Sequence, residues 1–120
     1  MRARILIVED SHLITEAFTI LFTDAGYEVD SAASVAEAIE CGTSEPVDLM
    51  LLDLSLPDGG GLEILEALRN KGTLPRATLA MTGNNDSKTR RECLAAGCAD
   101  VLLKPVPIGE LLRHIERLLA

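Results

Sequence analysis

Four stretches of the chain place a charged or hydroxyl side chain directly after an apolar run. Glu9-Asp10 follows ILIV, Asp53 follows LMLL, Thr82-Gly83 follows TLAM, and Lys104 follows VLL. A carboxylate next to a buried strand is costly to desolvate unless something pairs with it. The spacing therefore raises the question of what these side chains face, and it favours a shared site over isolated surface positions.

The acidic members predict a cation. Two carboxylates ~5 Å apart repel each other by ~3 kcal/mol at an effective dielectric constant of ~20, and a third makes this worse. Lys104 would offset part of the repulsion among Glu9, Asp10 and Asp53. A hard divalent ion with oxygen ligands, Mg²⁺ first of all, would offset the rest.

Such a site could carry out phosphoryl transfer. Asp53 would be the nucleophile and take the phosphoryl group as an acyl phosphate. Glu9 and Asp10 would hold the metal, which screens charge between nucleophile and donor. Lys104 and the Thr82 hydroxyl would bind phosphoryl oxygens, and Gly83 would let the backbone approach closely. Each residue also has an ordinary structural explanation, as a turn cap, a surface lysine or a helix-dipole partner.

The elements that would position these residues alternate between strands and helices. Short apolar runs predict strands at 4–8, 48–53, 77–82 and 101–103, and residues 27–32 are predicted to form the second strand. Helix starts are predicted at Ser11, at the Ser34–Glu37 capping box, after the glycine cluster 59–61, at Asp86 or Ser87, and at Pro107. The second helix should end near Cys41 or Gly42. The first helix is predicted to bury Ile14, Ala17, Phe18, Leu21 and Ala25.

This order predicts an α/β fold over residues 1–120. Strands that are apolar throughout, separated by helices, indicate a parallel sheet covered on both faces. The expected architecture is a doubly wound, five-stranded parallel sheet of flavodoxin-like order 2-1-3-4-5 with five helices. In such sheets ligands bind beyond the carboxyl ends of the strands, where the residues above would meet.

Composition limits the class of protein. The 120 residues carry a formal net charge of −8, which argues against direct nucleic-acid or membrane-surface binding by this domain. No apolar run reaches transmembrane length and no signal-peptide pattern opens the chain, so a cytoplasmic location is expected. Cys41, Cys93 and Cys98 lack metal-site spacing and are interpreted as reduced thiols.

The motifs resemble one known family. ILIVED (5–10), LMLLDLSLPDGGGLEIL (49–65), MTGNND (81–86) and ADVLLKPV (99–106) are similar to the receiver domain of two-component response regulators, and the similarity spans essentially the whole chain. It implies that Asp53 is the phospho-acceptor, charged by a histidine kinase or phosphotransfer protein. It also implies that Glu9 and Asp10 bind Mg²⁺ and that Ser55 lends a backbone carbonyl to the ion.

The resemblance extends to the switch and to the output. Thr82 is similar to the hydroxyl that swings to the phosphoryl group, and Lys104 to a lysine that precedes a cis proline. The implied output is the surface of the fourth helix, fifth strand and fifth helix, which would control an output domain or target protein. The fourth helix is polar and should be lightly held.

Two positions depart from the family pattern. Val101 stands where relatives often carry an aromatic ring that turns inward on activation. Gly60-Gly61 stands where relatives often have Asp-Gly, which predicts a looser loop after Asp53.

Three alternatives remain open. A degenerate receiver would act as a phosphorylation-independent binding module. A haloacid-dehalogenase-like phosphatase would also use an Asp nucleophile with Mg²⁺, but it prefers a second Asp where this chain has Ser55. A flavin-binding protein of similar topology would need a phosphate-binding loop after the first strand.

Overall fold

The computed structural model describes residues 2–84 and 86–120. Its main sheet has five parallel strands in the order β2-β1-β3-β6-β7. The bounds are β1 Arg4–Val8, β2 Glu28–Ala32, β3 Leu49–Asp53, β6 Ala77–Thr82 and β7 Asp100–Leu103. Because a short antiparallel hairpin of β4 (Ser55–Leu56) and β5 (Gly59–Gly60) follows β3, the fourth and fifth predicted strands are β6 and β7. The predicted order 2-1-3-4-5 is confirmed.

Among the described residues, four helices connect the strands of the main sheet and a fifth follows the last strand. They are α1 His12–Asp24, α2 Val35–Ser44, α3 Leu62–Asn70, α4 Ser87–Ala95 and α5 Ile108–Leu119. Ser11, Ser34 and Asp86 cap α1, α2 and α4 through side-chain oxygens that accept backbone N–H bonds, as the sequence predicts. The second helix runs past its predicted end at Cys41 or Gly42, to Ser44. Within the described part of the chain, no helix combines the length and apolarity needed to cross a membrane.

The central strands β1, β3 and β6 are buried on both faces, whereas the edge strand β2 is partly exposed. One apolar cluster contains Ile5, Ile7, Leu49, Leu51, Leu79 and Met81 from the strands, together with Phe22 of α1 and Leu111 and Ile115 of α5. The other contains Leu6, Val8, Met50, Leu52 and Ala80, together with residues of α2, α3 and α4. Alternate residues of each strand therefore point to opposite helix layers, which explains why the runs are apolar at every position.

The predicted inner face of α1 is wrong. Ile14, Ala17, Leu21 and Ala25 are exposed, whereas Phe22 is buried and Phe18 is half-buried. Thr15 and Thr19 complete the inner stripe, and Thr19 Oγ1 donates a hydrogen bond to the Thr15 carbonyl at 2.7 Å. Because that hydroxyl is satisfied within its own helix, threonine can occupy the inner side. The apolar stripe of Leu13, Ile14, Ala17, Ile20 and Leu21 is left facing outward.

Polar contacts tie the helix α4 to neighbouring elements. The Arg90 guanidinium donates to Asp100 Oδ1 at 3.1 Å and to the Val101 carbonyl at 3.4 Å. At the other end, Arg69 of α3 donates to the Ala96 carbonyl. Cys93 is the buried residue of α4 among those described, so the helix has little apolar packing; that it is lightly held stays a prediction.

The three cysteines are free thiols. Cys93 and Cys98 are buried and Cys41 is half-buried. Burial raises the pKa of Cys98 to about 12, and the neighbouring Cys93 adds to the effect. A thiol with so high a pKa carries little thiolate at neutral pH, so Cys98 is poorly reactive. Burial also raises the pKa of Cys41 and Cys93.

Candidate functional site

The register of the sheet brings the predicted residues to one edge. Val8 pairs with Leu52, so Glu9 and Asp53 end neighbouring strands at the same level. Asp53 itself pairs with Met81, which precedes Thr82, and Thr82 pairs with Leu103, which precedes Lys104. The Lys104 N–H donates to the Thr82 carbonyl at 2.8 Å and extends the last ladder by one bond. The carboxyl ends of four parallel strands thus form the floor of the site.

Asp53 is 3% exposed, and each of its carboxylate oxygens has a partner. Oδ2 lies 2.9 Å from Lys104 Nζ. Oδ1 accepts a hydrogen bond from the Ser55 N–H at 3.0 Å. An ion pair and a backbone hydrogen bond together stabilise the charged form and fix the orientation of the carboxylate plane.

Glu9 is equally buried but less well compensated. Its Oε2 accepts from the Ser11 N–H at 3.2 Å. Its Oε1 is buried with no hydrogen-bond partner among the described residues, and Lys104 Nζ lies 3.5 Å away. Burial raises the pKa of Glu9, and Asp10 and Asp53 contribute to the increase. Glu9 is therefore a carboxylate that a cation would stabilise.

Lys104 lies between the two buried carboxylates. Burial by itself would lower the pKa of this lysine, but the contacts with Asp53 and Glu9 outweigh burial and raise it. The ammonium therefore stays charged throughout the physiological range. The peptide bond to Pro105 is cis, as the resemblance implied.

The acidic residues fit a metal ion. Glu9, Asp10 and Asp53 each offer a carboxylate oxygen, and these oxygens lie within 4.8 Å of one another. Three carboxylates against one ammonium leave a formal charge of −2 at the site. All-oxygen ligands, excess negative charge and the unpartnered Oε1 of Glu9 suit a hard divalent cation. Asp10 is exposed, which leaves one side of the cluster open to solvent.

Thr82 is buried and bonded to its own loop. Its Oγ1 donates to the Asn84 carbonyl at 3.2 Å and accepts from the Asn84 N–H at 3.1 Å. Gly83 is exposed, and a Cβ there would meet nothing within 4 Å. Packing within the protein therefore does not require a glycine at this position. Asn85, in the middle of the MTGNND stretch, lies outside the described residues.

The hydrogen bond from the Ser55 N–H to Asp53 Oδ1 was not predicted. The resemblance implied a role for the Ser55 carbonyl, as a ligand of the metal, and that role stays a prediction. An aspartate often accepts from the backbone N–H two residues further on, so the residue type at position 53 was itself a signal for this bond. A second signal was the Pro57-Asp58-Gly59 turn, which folds the chain back just after the carboxylate.

A groove of about 550 Å³ opens beside the site. Glu9, Lys104, Pro105 and Val106 line one part of it, and Leu13, Ile14, Ala17 and Phe18 of α1 line another. Leu13 is 80% exposed and Ile20, further along the helix, is 69% exposed. The outward apolar stripe of α1 therefore begins at the rim of the acidic cluster.

Comparisons with known proteins agree with this geometry. The family model described as the response regulator receiver domain matches residues 5–116. The TorCAD operon transcriptional regulatory protein TorR of Escherichia coli O157:H7 is 37% identical over 119 residues, 99% of this chain and 51% of the relative. The transcriptional regulatory protein KdpE of Mycobacterium tuberculosis is 32% identical over 112 residues, 93% of this chain and 49% of the relative. The chain thus spans about half the length of these curated relatives.

Solved structures show the same fold. A CheY-like receiver domain protein from Methanospirillum hungatei superposes with a TM-score of 0.90 at 31% identity, over 99% of this chain and 94% of the other. The chemotaxis protein CheY4 of Vibrio cholerae superposes with a TM-score of 0.89 at 29% identity, over 98% and 99% of the two chains. With the family match over nearly the whole chain, and with the acidic cluster, Asp53, Thr82 and Lys104 ending the expected strands, this protein belongs to the response regulator receiver domain family of two-component signalling.

Proposed function

We propose that this receiver domain is a switch operated by phosphorylation of Asp53. The surroundings of the Asp53 carboxylate are the observation that carries the proposal. The carboxylate is buried, its Oδ2 forms an ion pair with Lys104, and its Oδ1 accepts a hydrogen bond from the Ser55 N–H. A purely structural aspartate would not need an ammonium and two further carboxylates beside it. The phosphoryl donor would be a histidine kinase or a phosphotransfer protein.

The transfer would be a direct displacement. An Asp53 oxygen bonds to phosphorus while the bond between phosphorus and the donor's imidazole nitrogen breaks. The electron pair leaves with that nitrogen, which takes a proton from solvent. Lys104 then moves its ammonium from the carboxylate to a phosphoryl oxygen, which keeps charge compensated throughout.

Glu9, Asp10, Asp53 and the Ser55 carbonyl would hold Mg²⁺. When bound, the ion supplies positive charge between the acidic cluster and the incoming phosphoryl group. The unpartnered Oε1 of Glu9 supports this assignment. The domain would then catalyse its own phosphorylation and dephosphorylation and no other reaction.

A change in the hydrogen bonds of Thr82 would transmit the phosphorylation state to the output face. The Thr82 hydroxyl is engaged with Asn84, two residues before the cap of α4. Phosphorylation adds about −1.5 to −2 charges, and a hydroxyl drawn to the phosphoryl group would release Asn84. Movement of this loop would shift the α4–β7–α5 face, which is held by the Arg90 contacts, and so control an output domain or target protein. With Val101 in place of an aromatic residue, this movement would not include the inward turn of a ring at position 101.

The phosphodonor would approach over α1. The groove joins the apolar stripe of that helix to Glu9 and Lys104. A histidine-bearing segment of the donor protein could cover Leu13 while its phosphorylated side chain reaches Asp53. A cytoplasmic location belongs to the same proposal. So does the absence of direct nucleic-acid contact, which the net charge of −8 supports.

Intact-mass spectrometry tests the function. After incubation with Mg²⁺ and acetyl phosphate, the protein should gain the mass of one phosphoryl group, and Asp53→Asn or excess EDTA should abolish the gain. An unchanged mass under saturating donor would favour a phosphorylation-independent binding module. Turnover of many donor molecules per protein would favour a phosphatase.

A further inference from the structure

The hairpin that follows the phospho-acceptor is tied to α2 by one side chain. Pro57 and Asp58 form its turn, between the pairs Ser55–Gly60 and Leu56–Gly59. Asp58 Oδ1 accepts from the Val35 N–H at 2.7 Å, and Oδ2 accepts from the Ala36 N–H at 3.2 Å. Both donors are in the first turn of α2, where the helix dipole also favours a carboxylate.

Two backbone N–H groups hold the exposed Asp58 carboxylate. The N–H of Val35 is the main reason that the pKa of Asp58 is lowered, so the carboxylate is ionised at neutral pH. The contact is also additional to the cap of α2 itself, because Ser34 Oγ accepts from the Glu37 N–H at 3.2 Å. Asp58 is therefore better placed to hold the hairpin than to start the helix.

The other end of the hairpin reaches the phospho-acceptor. Ser55, the first residue of β4, donates its N–H to Asp53 Oδ1 at 3.0 Å. The returning strand is made of glycines, which provide no side chains to anchor it. Besides Asp58, the hairpin is anchored by Leu56, which is half-buried against the apolar cluster of α2 and α3.

We propose that Asp58 is a positioning residue for the phosphorylation site. Asp58 binds the tip of the hairpin to the amino end of α2. This restraint keeps the hydrogen bond from the Ser55 N–H to Asp53 Oδ1 in place and leaves Oδ2 free to pair with Lys104. The same restraint fixes where the Ser55 carbonyl lies relative to Glu9 and Asp10. The consequences for phosphoryl transfer rest on the proposed function; the link from Asp58 to the Asp53 carboxylate does not.

The test compares two variants that each remove one side-chain cap from α2. Asp58→Ala removes the tie between helix and hairpin, whereas Ser34→Ala removes the cap of the helix itself and leaves the hairpin contact in place. Both should lower the midpoint of thermal unfolding by similar amounts. Asp58→Ala should slow phosphorylation by acetyl phosphate about three- to ten-fold through misplacement of the nucleophile. Ser34→Ala should leave the rate within two-fold of wild type, and Asp58→Asn should fall between Asp58→Ala and wild type.

Two further measurements separate positioning from stability. The amide proton of Ser55 should shift upfield in the NMR spectrum of Asp58→Ala, recorded without donor, and Mg²⁺ should bind more weakly by calorimetry. Neither should change in Ser34→Ala. Equal rates, equal Mg²⁺ affinities and an unmoved Ser55 amide in the two variants would overturn the proposal. A wild-type protein that takes up no phosphoryl group would instead refute the proposed function, while the amide shift and Mg²⁺ affinity would still decide the role of Asp58.

Discussion

The ammonium of Lys104 lies 2.9 Å from Oδ2 of Asp53, at the carboxyl ends of two strands that are not neighbours in the sheet. The strand β6 lies between them and contributes Thr82 to the same edge. The ion pair therefore joins β3 to β7 across the site. It also makes Lys104 the compensating charge for Glu9, 3.5 Å away.

Replacing this cation should make stability depend more strongly on metal. Lys104→Gln leaves Asp53 and Glu9 facing each other, and we expect the midpoint of thermal unfolding to fall by about 3–6 °C in EDTA, equivalent to ~1 kcal/mol. Because Mg²⁺ would then replace the missing positive charge, it should recover more of the midpoint than it adds to wild type. Calorimetric scans with and without Mg²⁺ check this. Identical Mg²⁺ responses in the two proteins would contradict it.

The buried Glu9 predicts a pH dependence with a definite sign. Since burial raises its pKa in the folded state, the folded protein binds more protons than the unfolded chain between the ordinary glutamate pKa of 4.5 and the raised value. Without metal, stability should therefore fall as pH rises through that window. Glu9→Gln should remove this component and raise the midpoint of unfolding at pH 7 by a few degrees. Denaturation at a series of pH values in EDTA measures it, and Glu66→Gln, at an exposed position on α3, serves as the control.

The same Glu9→Gln variant should bind Mg²⁺ at least ten-fold more weakly, because a ligand charge is lost. Opposite effects on stability and on metal affinity would identify Glu9 as a residue that the fold tolerates for the sake of the ion. A variant that is less stable than wild type in EDTA would show instead that the ionised side chain stabilises the fold.

The apolar stripe of α1 predicts that a substitution there affects the rate of phosphoryl transfer from a donor protein but not the rate from acetyl phosphate. Leu13→Asp places a charge at the rim of the groove and should slow phosphoryl transfer from a phosphorylated donor protein at least ten-fold. Transfer from acetyl phosphate, which needs no docking surface, should stay unchanged. Ile20→Asp is the matched control, since Ile20 is exposed on the same helix but does not line the groove. Equal losses with both donors would indicate damage to the site itself.

Two adjacent glycines should respond differently to the same substitution. A Cβ on Gly61 would lie 2.8 Å from the Asp53 carbonyl oxygen and 3.1 Å from the Leu52 side chain, whereas a Cβ on Gly60 would meet nothing within 4 Å. We expect Gly61→Ala to cost ~1–3 kcal/mol and to slow phosphorylation, because the backbone at Asp53 must shift. Gly60→Ala should change either quantity little. Urea denaturation of both variants measures their free energies of unfolding. Equal values would show that the loop relaxes to accommodate the added Cβ.

The contact between α4 and β7 predicts a change in local opening. Arg90→Ala removes the bonds to Asp100 and to the Val101 carbonyl, which as an exposed pair should contribute ~0.2–1 kcal/mol. Amide hydrogen exchange in α4 should therefore accelerate by up to about five-fold, with little change elsewhere. Arg91→Ala, on the same helix but outside these bonds, should leave exchange unaltered. Unchanged exchange in Arg90→Ala would mean that packing alone holds α4.

The sequence by itself determined the order of the elements and the residues at the strand ends. Apolar runs such as 49–52 are interpretable because a strand buried on both faces has no polar position, and caps such as Ser11 and Asp86 act through local hydrogen bonds. Since parallel strands all end on one edge, knowing the order of the strands was enough to predict that Glu9, Asp53, Thr82 and Lys104 would meet.

Tertiary structure alone decided which face of α1 is buried and what holds the hairpin after Asp53 in place. The helix is apolar on more than one side, and its inner stripe includes Thr15 and Thr19, so hydrophobicity could not choose between the faces. The choice depends on how Phe18 and Phe22 pack against the sheet and α5, which is a property of the assembled layers. Likewise, the hairpin that follows Asp53 is held by Asp58, whose carboxylate accepts hydrogen bonds from the N–H groups of Val35 and Ala36, 23 and 22 positions away in the chain. Contacts between residues so far apart are defined only when the chain has folded.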